Sequence, residues 1–196
     1  MTKIKLCGLF RKIDIDYANE AQPDFVGFVF VKNSPRYITL KKALQFRQRL
    51  NANIPAVGVF RDAPFSEMVN LYQLGVIQYV QLHGHESEQV VNRLKQLRIP
   101  IIRAFSYTQS SFVTSADYVL IDGMKPGSGG IWPWKKITRP TQPFFLAGGL
   151  TPDNVTDAIQ AVHPNVIDVS SGIETQHVKD LQKMIKIVRS VHNARN

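Results

Sequence analysis

Eight short runs rich in Val, Ile and Phe, with segments of helical periodicity between most of them and no break in composition, predict an α/β protein. The predicted architecture is a single, short (β/α)8 TIM barrel spanning residues 1–196. The runs are KIKLC (3–7), FVGFVF (25–30), PAVGVF (55–60), QYVQL (78–82), PIIRAF (100–105), YVLID (118–122), FFLAG (144–148) and VIDVS (166–170). Several are apolar on consecutive residues, the pattern of strands buried on both faces of a parallel sheet. Fewer strands would have favoured an open doubly wound sheet.

The intervening segments carry helical stripes. Val90, Val91, Leu94 and Leu97 share one face, as do Val155, Ala158, Ile159 and Val162. In LTPDNV, Thr151 is expected to cap a helix and Pro152 to occupy its first position. The last stripe runs Val178, Leu181, Met184, Ile185, Val188, Val191, so the final helix is expected to begin at Val178-Lys179-Asp180, with Asp180 near its positive end. At 196 residues the barrel is short against the ~250 typical of the fold. Two segments account for the shortening. SYTQSSFVTSAD, after the fifth strand, is polar and predicts a degenerate helix there. GMKPGSGGIWPW, after the sixth, leaves little room for a full helix, and Trp132 and Trp134 are expected to pack that loop against the barrel.

Hydrophobic residues make up 44% of the chain and charged residues 20%, ordinary values for a protein that buries a real core. One cysteine allows neither an internal disulfide nor a multi-cysteine zinc site and suits a reducing compartment. With no apolar run of about 18 residues and no apolar leader after MTKIKL, a cytoplasmic location is expected, with no membrane partner. The formal charge of +9 would suit nucleic acid or small anions. The basic residues are scattered and no stripe of them is interleaved with aromatics, so no nucleic-acid partner is expected. The chain is expected to act as a monomer or homodimer.

In such a barrel the site lies at the carboxyl ends of the strands. That rule selects Cys7, Asn33 to Arg36, Arg61 and Asp62, Gln81 and His83, Asp122, Gly148 and Gly149, and Asp168 with Ser170, Ser171 and Gly172. The turns LAGGLTPDN and VSSGIE fall in the seventh and eighth βα loops, which in barrels often hold phosphate on backbone N–H groups. Cys7 has two readings, a buried packing residue or a tuned proton acceptor. Asp122 likewise reads as the cap of a turn or as an acid.

KLCGL, NSPRYI, VGVF, QLHGHE, LIDG with GSGGIWPW, LAGGL and IDVSSGIE, in this order from residue 3 to about residue 180, resemble the phosphoribosylanthranilate isomerases of tryptophan biosynthesis. The resemblance implies a metal-free, cofactor-free Amadori rearrangement of a small-molecule substrate. It gives Cys7 the role of general base, Asp122 that of general acid, and Arg36 a contact with the anthranilate. Gly148, Gly149, Ser171 and Gly172 would cradle the phosphate, and Gln81, His83 and Asp168 would adjoin the substrate. The chain departs from the family pattern at Phe10 and Arg11, at Gly130 and Trp132, and at Gln176-His177, and none of these removes a catalytic group. A histidine-pathway sugar isomerase would want an aspartate at Cys7. Indole-glycerol-phosphate synthase would want a lysine and several glutamates at strand ends. A basic, non-catalytic nucleic-acid-binding barrel would give Cys7 and Asp122 no role.

Overall fold

A computed structural model describes residues 1–109, 111–123 and 137–194. Eight parallel strands close into a barrel in sequence order: β1 Lys3–Cys7, β2 Phe25–Val29, β3 Ala56–Phe60, β4 Tyr79–Leu82, β5 Ile101–Ser106, β6 Tyr118–Asp122, β7 Phe144–Ala147 and β8 Val166–Val169. Each lies within a residue or so of its apolar run. Closure is direct, with Lys5 of β1 paired to Phe25 on one side and to Asp168 on the other. The helices among the described residues are α1 Lys12–Ala21, α2 Leu40–Arg49, α3 Phe65–Gln73, α4 Glu88–Gln96, α5 Val155–Val162 and α6 Leu181–Asn193. None is long and apolar enough to cross a membrane.

Alternation along each strand divides the core in two. Outward residues such as Ile4, Leu6, Phe28, Val119 and Leu146 pack against the helices. Inward residues Phe25, Val57, Ile102, Leu120, Phe145 and Val166 fill the barrel. Its floor is a closed circuit of aromatic rings, Phe25–Tyr79–Tyr118–Phe145, with centroids 5.5, 6.2 and 5.7 Å apart and 6.0 Å back to Phe25. These edge-to-face and tilted contacts are the favoured geometry for rings. The apolar floor leaves polar chemistry to the opposite end.

The predicted degeneracy after β5 is present. The described residues between β5 and β6 form no helix; instead buried Phe112 sets its ring 5.5 Å from that of Phe105, and Glu88 accepts hydrogen bonds from the Ser115 backbone N–H and hydroxyl. The loop carrying Trp132 and Trp134, and Gly130 with it, lies outside the described residues.

Three helix expectations need correction. Helix α5 starts at Val155, not at Pro152: Thr151 Oγ1 accepts from the Asp153 N–H, closing a turn ahead of the helix, and Asn154 takes the capping position. Leu97 ends α4 as its carboxyl cap and is 48% exposed, so only Val91 and Leu94 of that stripe are buried. Val178 and Lys179 belong to no helix. They form β10 (Val178–Lys179), antiparallel to β9 (Glu174–Thr175), and Asp180 caps α6 by accepting from the Lys183 N–H. Ile187, rather than Ile185, completes the buried face of α6 with Met184, Val188 and Val191.

Candidate active site

Cys7 and Asp122 are the last residues of β1 and β6, and both point inward at the carboxyl end of the barrel. Their direction follows from the residues two places earlier, since side chains at i and i+2 share a face. Leu120 packs inside the barrel. Lys5 crosses the interior to reach β4 and β8. Cys7 itself packs with Val29 and Val59, the inward residues of the next two strands, and is 9% exposed.

Lys5 was not among the residues expected at the site. Fully buried, its ammonium donates to Gln81 Oε1 at 2.8 Å and to Asp168 Oδ2 at 2.9 Å. Burial pulls its pKa down, but Asp168 and the adjacent Cys7 outweigh that and the net shift is upward, so it is a cation. Burial also pushes the Cys7 thiol up, against the pull of Lys5 and Lys179. Asp168 Oδ1 is buried without a hydrogen-bond partner among the described residues. The signal that could have found Lys5 is simple: a charge in a buried strand, in phase with Cys7.

Gln81 and His83 share the inward face of β4 and its end. Gln81 Nε2 lies 3.0 Å from His83 Nδ1, and His83 Nε2 lies 3.3 Å from Asp122 Oδ2. Since β5 separates β4 from β6, that last contact is made over the barrel mouth rather than along the sheet. His83 and Asp122 line a cavity of about 370 Å³ with Arg61, His85, Phe105 and Gln109.

Arg36, in the loop after β2, is held by Glu174 through two bonds of 2.7 Å, from Nε and from Nη2. A Cβ added to Gly8 would meet Arg36 Cδ at 2.4 Å, so the arginine stem lies over the residue that follows Cys7. The fork raises the guanidinium pKa. Glu174 is pushed up by burial but pulled further down by Arg36 and Lys179, so it stays ionised. Lys179, buried in β10, donates to Glu174 Oε1 at 2.7 Å and to the Ser170 carbonyl at 2.9 Å. Glu174 ends the SSGIE turn but no local pattern encodes its partner, and Lys179 lies in the hairpin rather than on the helix that the spacing of Val178 predicts.

The two glycine turns meet. A Cβ on Gly172 would fall 1.8 Å from the Leu150 carbonyl oxygen, so only glycine lets the loop after β8 press on the loop after β7. Gly148 and Gly149 open that second loop with φ of 92° and 66°. Ser171 and Gly172 begin a 3-10 turn, Ser171–Ile173, beside it. The structure thus brings the expected residues into three groups around one mouth: Cys7 with Gln81 and Asp168, His83 with Asp122, and Arg36 beside the paired glycine turns. Asp62 and His85 pair with each other at an exposed edge, 3.2 Å apart.

The family model of N-(5'phosphoribosyl)anthranilate (PRA) isomerase matches residues 4–190. The N-(5'-phosphoribosyl)anthranilate isomerase of Lactiplantibacillus plantarum is 41% identical over 194 residues, 98% of this chain and 93% of the relative. Among solved structures, TrpF from Jonesia denitrificans aligns with a TM-score of 0.88 at 34% identity, covering 99% of this chain and 98% of its own. A phosphoribosyl anthranilate isomerase solved in complex with reduced 1-(o-carboxyphenylamino)-1-deoxyribulose 5-phosphate aligns with a TM-score of 0.80 at 28% identity, over 98% and 99% of the two chains. With the barrel, the convergent site and these matches together, the chain belongs to the N-(5'-phosphoribosyl)anthranilate isomerase family.

Proposed function

We propose that Asp122 and Cys7 are the acid and base with which this chain carries out its family's reaction, the Amadori rearrangement of N-(5'-phosphoribosyl)anthranilate to 1-(2-carboxyphenylamino)-1-deoxyribulose 5-phosphate. Asp122 donates a proton to the furanose ring oxygen, the C1–O bond breaks, and the anilino lone pair closes a C1=N Schiff base. Cys7 takes the proton from C2, and the electron pair of that C–H bond leaves an enolamine. The enol then loses its hydroxyl proton and C1 gains one, giving the C2 ketone. Two groups are needed because protons arrive and leave at different atoms.

The observation that supports this reading best is that both residues end inward-facing strand positions at one mouth, with a buried cation beneath the sulfur. Cys7 acts as the thiolate, which Lys5 and Lys179 favour and burial opposes. Such a thiolate is strongly basic, which abstraction from carbon requires, at the cost of a small ionised fraction near neutral pH. In this reading Asp168, held by Lys5 beneath the same mouth, adjoins the sugar; its Oδ1 has no hydrogen-bond partner among the described residues. Glu174 occupies Nε and Nη2 of Arg36, leaving the Nη1 edge for the anthranilate carboxylate. The phosphate sits on backbone N–H groups of the meeting turns, at Gly148, Gly149, Ser171 and Gly172.

The test is turnover of phosphoribosylanthranilate, followed as loss of its fluorescence without added metal. Cys7→Ala and Asp122→Ala are each expected to lower kcat by at least ~100-fold, and Arg36→Ala to raise KM. Wild-type rates in both of the first two variants would overturn the assignment.

A further inference from the structure

The contacts beneath the mouth form one chain from the barrel interior to the acid: Asp168, Lys5, Gln81, His83, Asp122. Its polarity is determined at one end. An ammonium only donates, so Gln81 must turn its amide oxygen to Lys5, at 2.8 Å. The amide nitrogen then faces His83 Nδ1, at 3.0 Å, and an amide nitrogen also only donates. Nδ1 is therefore the acceptor, and the single proton of a neutral imidazole sits on Nε2, the nitrogen that lies 3.3 Å from Asp122 Oδ2. A doubly protonated ring would set two donors against each other at the Gln81 contact.

We infer that Lys5 and Gln81 are positioning residues that hold His83 as the neutral Nε2–H tautomer, so that His83 orients the Asp122 carboxyl for proton donation. The inference rests on Asp122 being the acid. With Oδ2 the oxygen that faces His83 Nε2, the acidic proton belongs on Oδ1, the oxygen left for substrate. The other titratable or charged groups lining this cavity among the described residues are Arg61, from the loop after β3, and His85, from the loop after β4. Neither offers His83 a second anion. Gln81 and His83, expected from the resemblance to adjoin the substrate, thereby act on it through Asp122, and Lys5 organises both catalytic groups, one through space and one through this chain.

The test uses the full chain labelled with 15N, and long-range proton–nitrogen correlation of the His83 ring at pH 7.5. The wild type should show a protonated Nε2 and a bare Nδ1. Gln81→Glu reverses the polarity, because a carboxylate can only accept from Nδ1. His83 should then carry a proton on Nδ1 at the same pH, and kcat should fall at least 10-fold while KM changes less than 3-fold. Gln81→Met should leave a mixture of the two tautomers. An Nδ1–H signal in the wild type, or a Gln81→Glu variant with unchanged ring signals and unchanged kcat, would overturn the inference. Full activity in Asp122→Asn would instead overturn the acid assignment, whatever the ring signals show, so the two failures are separable.

Discussion

At the scale of the residue, the thiol of Cys7 illustrates how burial and nearby charge, opposing one another, set reactivity. Burial disfavours the thiolate and is the larger influence, while Lys5 and Lys179 favour it. The sign is upward from the ordinary value of 9.0, so the thiolate fraction of the free protein grows only as pH rises beyond that value. Alkylation of Cys7 by iodoacetamide should be slow at pH 7 and accelerate through pH 9 and above. Removing the cation with Lys5→Met should slow it further wherever the thiol is incompletely ionised, and a plateau already reached at pH 7 in the wild type would show that the cations prevail over burial. Cys7 and Asp122 were legible in the sequence because each ends an apolar run where a barrel puts its chemistry. The partners that tune them were not. Lys5 contacts Gln81 and Asp168 across 76 and 163 residues of chain, a separation no local pattern encodes.

At the scale of the element, the region between β8 and α6 departs most from what its sequence suggests. The spacing of Val178 from Leu181 fits a helix, yet β9 and β10 pair instead, joined by Gln176 and His177. Both turn residues have positive φ, 50° and 64°, as a two-residue hairpin turn demands. For side chains other than Gly and Asn this conformation costs roughly 1–2 kcal/mol per residue. Replacing the pair by Asn-Gly should therefore raise unfolding stability by about 1–2 kcal/mol in chemical denaturation, with no new contact made. A loss of stability would show that the two side chains contribute more than their strain costs. What holds the hairpin is tertiary. Arg11 Nη2 donates to the Lys179 carbonyl at 2.7 Å, and Glu174 binds both Lys179 and Arg36. Asp180 accepts from the Thr175 hydroxyl at 2.7 Å while capping α6. Two departures from the family pattern, Arg11 and Gln176-His177, thus meet in one small structure beside the glycine turns.

At the scale of the whole molecule, stability and chemistry occupy opposite ends of the barrel, as the fold allows. The ring circuit of Phe25, Tyr79, Tyr118 and Phe145 sits at the amino ends of the strands, away from Cys7 and Asp122. Phe145 is 1% exposed, and truncation to Ala removes two ring contacts and opens a cavity in the floor. Phe145→Ala should cost ~3–5 kcal/mol of unfolding free energy, read from denaturant melts, while kcat measured well below the melting temperature stays within 2-fold of wild type. A large fall in kcat in a still-folded variant would mean that floor and mouth are mechanically coupled.

By itself the amino-acid sequence determined the strand positions, their order, the degeneracy after β5, where the described residues form no helix, and the two strand-end residues that face the mouth. These are local consequences of side-chain periodicity, and a parallel strand buried on both faces can be written in few other ways. Only the tertiary structure decided which polar groups meet inside: the Lys5–Asp168 pair, the chain through Gln81 and His83 to Asp122, the Arg36–Glu174 fork and the contact of Gly172 with Leu150. The physical reason is that barrel closure brings together the inward faces of strands that are not neighbours in the sheet. A buried charge is stable only where such a partner has been supplied from far along the chain.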